Sequence, residues 1–204
     1  MIGAIENAIC ARLHSATGLL GYRLKTVATY DNQFDGKDDL ARAVSGLPGA
    51  WVVWLGDSSA QPMGQASWKV KARFAVLVAA QNKRNHTNAR HGEPGMVGSY
   101  QIARDVQTLL VDQTLGLEID PFALVGSKPL ANAKTNGGSV SILTLEFATA
   151  YTIAALPDGL EAALAQGETL AEAFDKTAGL GDFATFAGTW DPPVTDLIEL
   201  ETGP

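Results

Sequence analysis

The side chains best equipped for chemistry in this sequence gather in a fifteen-residue polar stretch from Asn82 to Met96, which holds Lys83, Arg84, His86, Arg90, His91 and Glu93. Two imidazoles and a carboxylate are donor types that bind first-row transition metals. Their spacing fits no recurring ligand pattern such as H-E-x-x-H, in which two histidines one helical turn apart share a face. A solvated loop is therefore the expectation for His86, His91 and Glu93, and a small metal-dependent enzyme built on them is the outlying alternative. The cations Lys83, Arg84 and Arg90 could meet phosphates or protein carboxylates. No aromatic residues are interleaved with them, which disfavours stacking on nucleic-acid bases. A solvated loop comes first for these cations, a protein contact second and a DNA contact last.

The rest of the chain offers less. Cys10 lies between Ile9 and Ala11 on an apolar helical stretch, where a buried structural thiol is expected rather than a reactive one. As the single cysteine it also excludes a disulfide framework. His14 closes the same stretch, where a cation suits the negative end of the helix dipole, and Asp38 and Asp39 suit the positive start of another helix. There is no G-x-x-x-x-G-K-[ST] phosphate loop, no G-x-S-x-G elbow and no G-x-G-x-x-G turn. No catalytic, metal or cofactor-binding residue is assigned, and the expectation is a protein that is not an enzyme.

Composition points toward protein contacts. The 204 residues are 46% hydrophobic and 18% charged, with a mean hydropathy of +0.05, and charged residues usually make up about a quarter of a soluble domain. Some of the surface is expected to be covered by other protein. The net charge of −7 argues against a protein that coats nucleic acid. No apolar run approaches the ~18–20 residues of a membrane span, and the opening residues lack the basic-then-apolar order of a signal peptide, so no membrane partner and a cytoplasmic site of synthesis are expected. The charge is unevenly placed. Residues 1–155 hold 14 Lys+Arg against 12 Asp+Glu, net +2, whereas residues 156–204 hold 1 against 10, net −9. The break falls at Leu156-Pro157-Asp158-Gly159, a turn-like cluster. The division expected is a body, 1–155, and an acidic helical segment with an extended arm, 156–204. In the arm, Phe183, Phe186, Trp190, Leu197, Ile198 and Leu200 have too little chain around them to form a core, so they are candidate interface residues together with Lys83, Arg84 and Arg90.

Apolar periodicity supplies the elements that position these residues. Ile2, Ile5, Ile9 and Leu13 recur at helical steps, and Tyr22–Tyr30 is rich in strand formers. A short helix is expected from Asp38 to Ser45, ending before Leu47-Pro48. Ala50–Gly56 is continuously apolar, which predicts a strand covered on both faces with Trp51 and Trp54 in the core; Trp68 is of a type that is usually core as well. From Trp68 to Ala79 the residues alternate, and Lys69, Lys71 and Arg73 give way on one face to Ala75, Leu77 and Ala79. A helix over Val97–Val111, a strand near Phe122–Ser127, a hairpin turn at Lys134–Gly138 and a long strand over Ser139–Ile153 complete the body. The fold class expected is α+β, a mostly antiparallel sheet with helices packed on one face, plus a C-terminal acidic extension.

The order of these segments resembles a known family. Ile2-Gly3-Ala4-Ile5-Glu6-Asn7-Ala8-Ile9, Thr29-Tyr30 before an acidic loop, Leu47-Pro48-Gly49-Ala50-Trp51-Val52, Phe74–Asn82, Gly98-Ser99-Tyr100-Gln101 and Leu145–Tyr151 are similar, as an ordered set, to Mu-like phage and prophage tail proteins. The resemblance covers about residues 1–153. It implies a tail terminator of contractile-tailed phages: a small α+β subunit that assembles as a six-fold ring, caps the tail tube, ends its polymerisation and presents a surface for head attachment. The partners so implied are other copies, tail-tube and sheath proteins, and head-completion or neck proteins, at the neck-proximal end of the virion tail. DNA would pass through the lumen without specific binding. The alternative in this setting is a head–tail connector or tail-completion adaptor. Residues 156–204 lie beyond the resemblance, and Asp182–Pro204 is expected to dock on a neighbouring subunit or the sheath.

Overall fold

The computed structural model describes residues 1–31, 44–64, 67–135 and 138–154. Most of the expected Asp38–Ser45 helix, with Asp38 and Asp39, lies outside the described residues. So does the acidic segment 156–204, with Phe183, Phe186, Trp190, Leu197, Ile198 and Leu200.

Helix α1, Ile2–Ser15, forms because its apolar residues return every three or four positions and so make one stripe. Ile5, Ile9 and Leu13 on that stripe are fully buried, and burial of each is worth roughly 1.5–3 kcal/mol. Five strands follow as β1 (Thr26–Thr29), β2 (Gly49–Pro62), β3 (Ser67–Asn82), β4 (Ala123–Thr135) and β5 (Gly138–Ala154). Between β3 and β4 lie two helices, α2 (His86–His91) and α3 (Ser99–Leu110).

The strands form one sheet in the order β1-β2-β3-β5-β4. β1 runs parallel to β2, with Thr26 opposite Gly49 and Thr29 opposite Val52. β2 and β3 are an antiparallel hairpin, as are β4 and β5, where Thr135 faces Gly138 across the turn. The seam between β3 and β5 is antiparallel too. Gly138 at the start of β5 lies against Asn82 at the end of β3, and further along Arg73 pairs with Glu146. The fold is thus α+β with a mostly antiparallel sheet.

Alternation along the strands divides the apolar residues between two faces. Val70, Ala72, Phe74, Val76 and Val78 of β3 and Leu143, Leu145 and Phe147 of β5 join α1 and α3 in the main core. Phe122 stands edge-on to both Phe74 and Phe147, with ring centroids 6.4 and 6.3 Å apart. The opposite face carries a smaller cluster of Leu47, Trp51, Ala75, Leu77, Ala79, Val140 and Ile142. The change on β3 from Lys69, Lys71 and Arg73 to Ala75, Leu77 and Ala79 marks where that second cluster begins.

Three expectations are corrected. The strand expected over Tyr22–Tyr30 is regular only at Thr26–Thr29, because just these four residues are in register with the start of β2. Trp54 is not core: it is 38% exposed, and Trp68 is 46% exposed. Cover from both faces reaches only the first residues of β2, and from Leu55 to Pro62 the strand is exposed or half-buried throughout. The polar stretch after β3 is not a plain solvated loop, since it contains α2 and a connected hydrogen-bond network.

Candidate functional site

The network begins where β3 ends. Asn82 is almost fully buried, and its amide must find partners because an unsatisfied buried polar group costs about 1–3 kcal/mol. Its Nδ2 donates to Glu93 Oε1 at 3.0 Å, while its Oδ1 accepts from the Arg84 backbone N–H at 2.8 Å. Asn85 then caps α2, its Oδ1 accepting from the Asn88 backbone N–H at 2.8 Å. Glu93 closes the arrangement: its Oε2 accepts from Asn88 Nδ2 at 3.1 Å and from Arg84 Nη1 at 3.3 Å.

Two glycines let the backbone fold back on itself. Gly92 has φ +81°, a left-handed conformation that side chains disfavour. A β-carbon on Gly98 would run into Arg90 O and Gly92 N. This close approach delivers the chain to α3, whose first residue, Ser99, shares a buried 2.9 Å hydroxyl–hydroxyl hydrogen bond with Ser141 of β5. His91 stands edge-on to Tyr100 at 5.2 Å.

The residues proposed from sequence separate. Glu93 is the centre of the network; among the described residues no three His, Cys, Asp or Glu side chains come together as a metal site. Arg84 is occupied by Glu93. Arg90 and His86 are half-buried on α2, and Arg90 Nε and His86 Nδ1 lie out of solvent without a hydrogen-bond partner. Lys83 faces elsewhere. With Arg23 and Lys25 from the segment before β1 it lines a cleft of about 440 Å³, whose other walls include Tyr22, Leu47, Pro48 and Met96. The cleft's two sides are held together by the Lys25 N–H, which donates to Pro48 O at 2.8 Å. Sequence reasoning passed over Arg23 and Lys25. Their spacing of two residues in an extended stretch, which puts them on one side of the chain, was the available signal.

The remaining reactive types are quiet. Cys10 is half-buried against the main core, and burial, with a smaller contribution from Glu6, pushes its thiol up, away from the thiolate that a nucleophile requires. His14 is exposed in the last turn of α1. Tyr22 donates to Asp105 Oδ2 at 2.9 Å, and burial followed by that bond raises its phenol. Tyr151 is raised by the same two causes, its partner being Asp57 at 3.1 Å. Among the described residues no helix is long and apolar enough to cross a membrane.

The described residues form an α+β sheet with helices on its main face and an exposed hairpin end. The chain belongs to the family described as Bacteriophage Mu, Gp37, which it matches over residues 1–152. That is a phage structural protein family, and it makes this chain a virion component. No curated protein matches it.

Proposed function

We propose that the protein forms a six-membered ring that caps the tail tube, ends its polymerisation and presents a surface for head attachment. The observation that carries this reading is the family match over residues 1–152. A closed ring built from head-to-tail contacts requires two different patches on each subunit. The sheet supplies exposed apolar residues in two places, with Leu55 and Trp68 on the β2–β3 hairpin and Leu124, Val125 and Leu130 on the edge strand β4. In this reading the partners are further copies, the tail tube, sheath proteins and neck proteins at the neck-proximal end of the tail, and DNA passes the lumen without specific binding. Phe183, Phe186, Trp190, Leu197, Ile198 and Leu200 of the acidic segment serve contacts with other proteins.

Three experiments test it. Electron microscopy of the purified protein is expected to show closed six-fold rings, and a solution of monomers at tail-assembly concentrations sinks the ring. Phage particles lacking the protein are expected to carry overlong tails. Tails of normal length that fail to join heads assign it instead to a connector or completion role. Truncation at residue 180 is expected to weaken assembly, and unchanged rings with unchanged tail attachment remove any role for the arm.

A further inference from the structure

Three cations of this fold are paired: Lys69 with Asp120 at 2.8 Å, Arg73 with Glu146 at 3.0 Å and Arg84 with Glu93 at 3.3 Å. The cleft beside the network is different. Arg23, Lys25 and Lys83 are all exposed, and among the described residues none of them has a carboxylate partner and no Asp or Glu lines the cleft. Three like charges facing one space repel one another, and an anion placed among them removes that cost. The volume of about 440 Å³ falls within the ~300–1,000 Å³ usual for a binding pocket. Its lining is not uniformly polar. Leu47 is buried in the wall, and Pro48 and the 43%-exposed Met96 continue an apolar strip. A bare phosphate makes no use of that strip, whereas a peptide with alternating acidic and aliphatic side chains uses both parts.

We propose that this cleft seats an acidic, aliphatic segment of a partner protein in the virion, its carboxylates against Arg23, Lys25 and Lys83 and its aliphatic side chains over Pro48 and Met96. The inference rests on the virion assignment for the source of the partner, and binding is read separately from ring formation.

The probe is a fluorescein-labelled eight-residue peptide alternating Glu and Leu, titrated into the full chain by anisotropy, with a Gln–Leu peptide and inorganic polyphosphate for comparison. The Glu–Leu peptide is expected to bind, and the Gln–Leu peptide to bind about tenfold more weakly or worse. The triple variant Arg23→Glu, Lys25→Glu, Lys83→Glu is expected to lose at least about tenfold, and the single variant Lys83→Glu a part of that. Lys71→Glu and Lys128→Glu, exposed cations outside the cleft, are expected to stay within about twofold. Met96→Ser is expected to weaken binding without changing its salt dependence. An unchanged near-UV circular dichroism spectrum for Lys83→Glu establishes that binding, not folding, is being read. Equal losses from Lys71→Glu and Lys83→Glu, no binding of the Glu–Leu peptide, or polyphosphate binding more tightly than the peptide each overturn the inference. Rings without peptide binding remove this inference alone, and peptide binding without rings removes the ring alone.

Discussion

The two halves of the central hairpin are built from the same two strands and differ in what covers them. Near Gly49–Val52 and Phe74–Ala80 both faces of the sheet are buried, one by α1 and α3 and the other by the Trp51 cluster. Toward Pro62 and Ser67 the same strands are largely exposed. In the covered half alternation vanishes and the residues read as one apolar run. In the open half Lys69, Lys71 and Arg73 alternate with their neighbours, and the apolar exceptions Trp54, Leu55, Met63 and Trp68 stand in water. A strand thus acquires its residue types from its cover.

The largest expected break in this contrast lies in the covered half. Phe74→Ala removes a ring at 0% exposure that contacts Phe122, and about 3–5 kcal/mol of stability is expected to disappear in urea unfolding. Gly98→Ala drives a methyl group into the backbone at Arg90 and Gly92, and a loss of roughly 1–3 kcal/mol is expected. Hydrogen exchange should place the damage in residues 82–98, and protection unchanged there refutes the close-packing account.

A third expectation concerns alkaline pH. A phenol raised in the folded state contributes stability that is fully present below its unfolded pKa of about 10 and is lost as pH climbs toward the folded value. Tyr22 is such a group, so wild-type stability should fall above pH about 10. Tyr22→Phe is expected to cost about 1 kcal/mol at neutral pH, because the bond to Asp105 is lost, and to flatten the alkaline decline. Denaturant midpoints from pH 8 to 11 measure both, and an equally steep decline in the variant assigns it to other groups. The smallest effect belongs to the open half, where Leu55→Ser should change stability by no more than about 0.5 kcal/mol. A much larger loss means that the hairpin is already covered in the free protein.

Much of the sheet was legible because burial writes itself into alternation. The passage from Lys69, Lys71 and Arg73 to Ala75, Leu77 and Ala79 showed in the residues alone that one end of β3 has a wet face and the other does not. Trp54 and Trp68 misled because an aromatic residue favours burial without stating what would bury it, and cover is a property of other segments. The cleft was invisible for a related reason: Arg23 and Lys25 lie far from Lys83 in the chain and become neighbours only through the sheet. Glu93 invited a metal reading beside His86 and His91, yet the nearby Asn82, Asn85 and Asn88 were the more informative residues, as amides that cap and satisfy.

The β2–β3 hairpin also has a mechanical meaning. Its partners run from Gly49 opposite Ala79 to Pro62 opposite Trp68, and fourteen residues at about 3.3 Å each make β2 roughly 45 Å long. A force applied along the strands loads many cross-strand bonds at once, in shear, whereas a force that peels the tip open loads them one at a time. A tension borne along this axis would leave the hairpin intact long after a sideways pull of the same size had unzipped it.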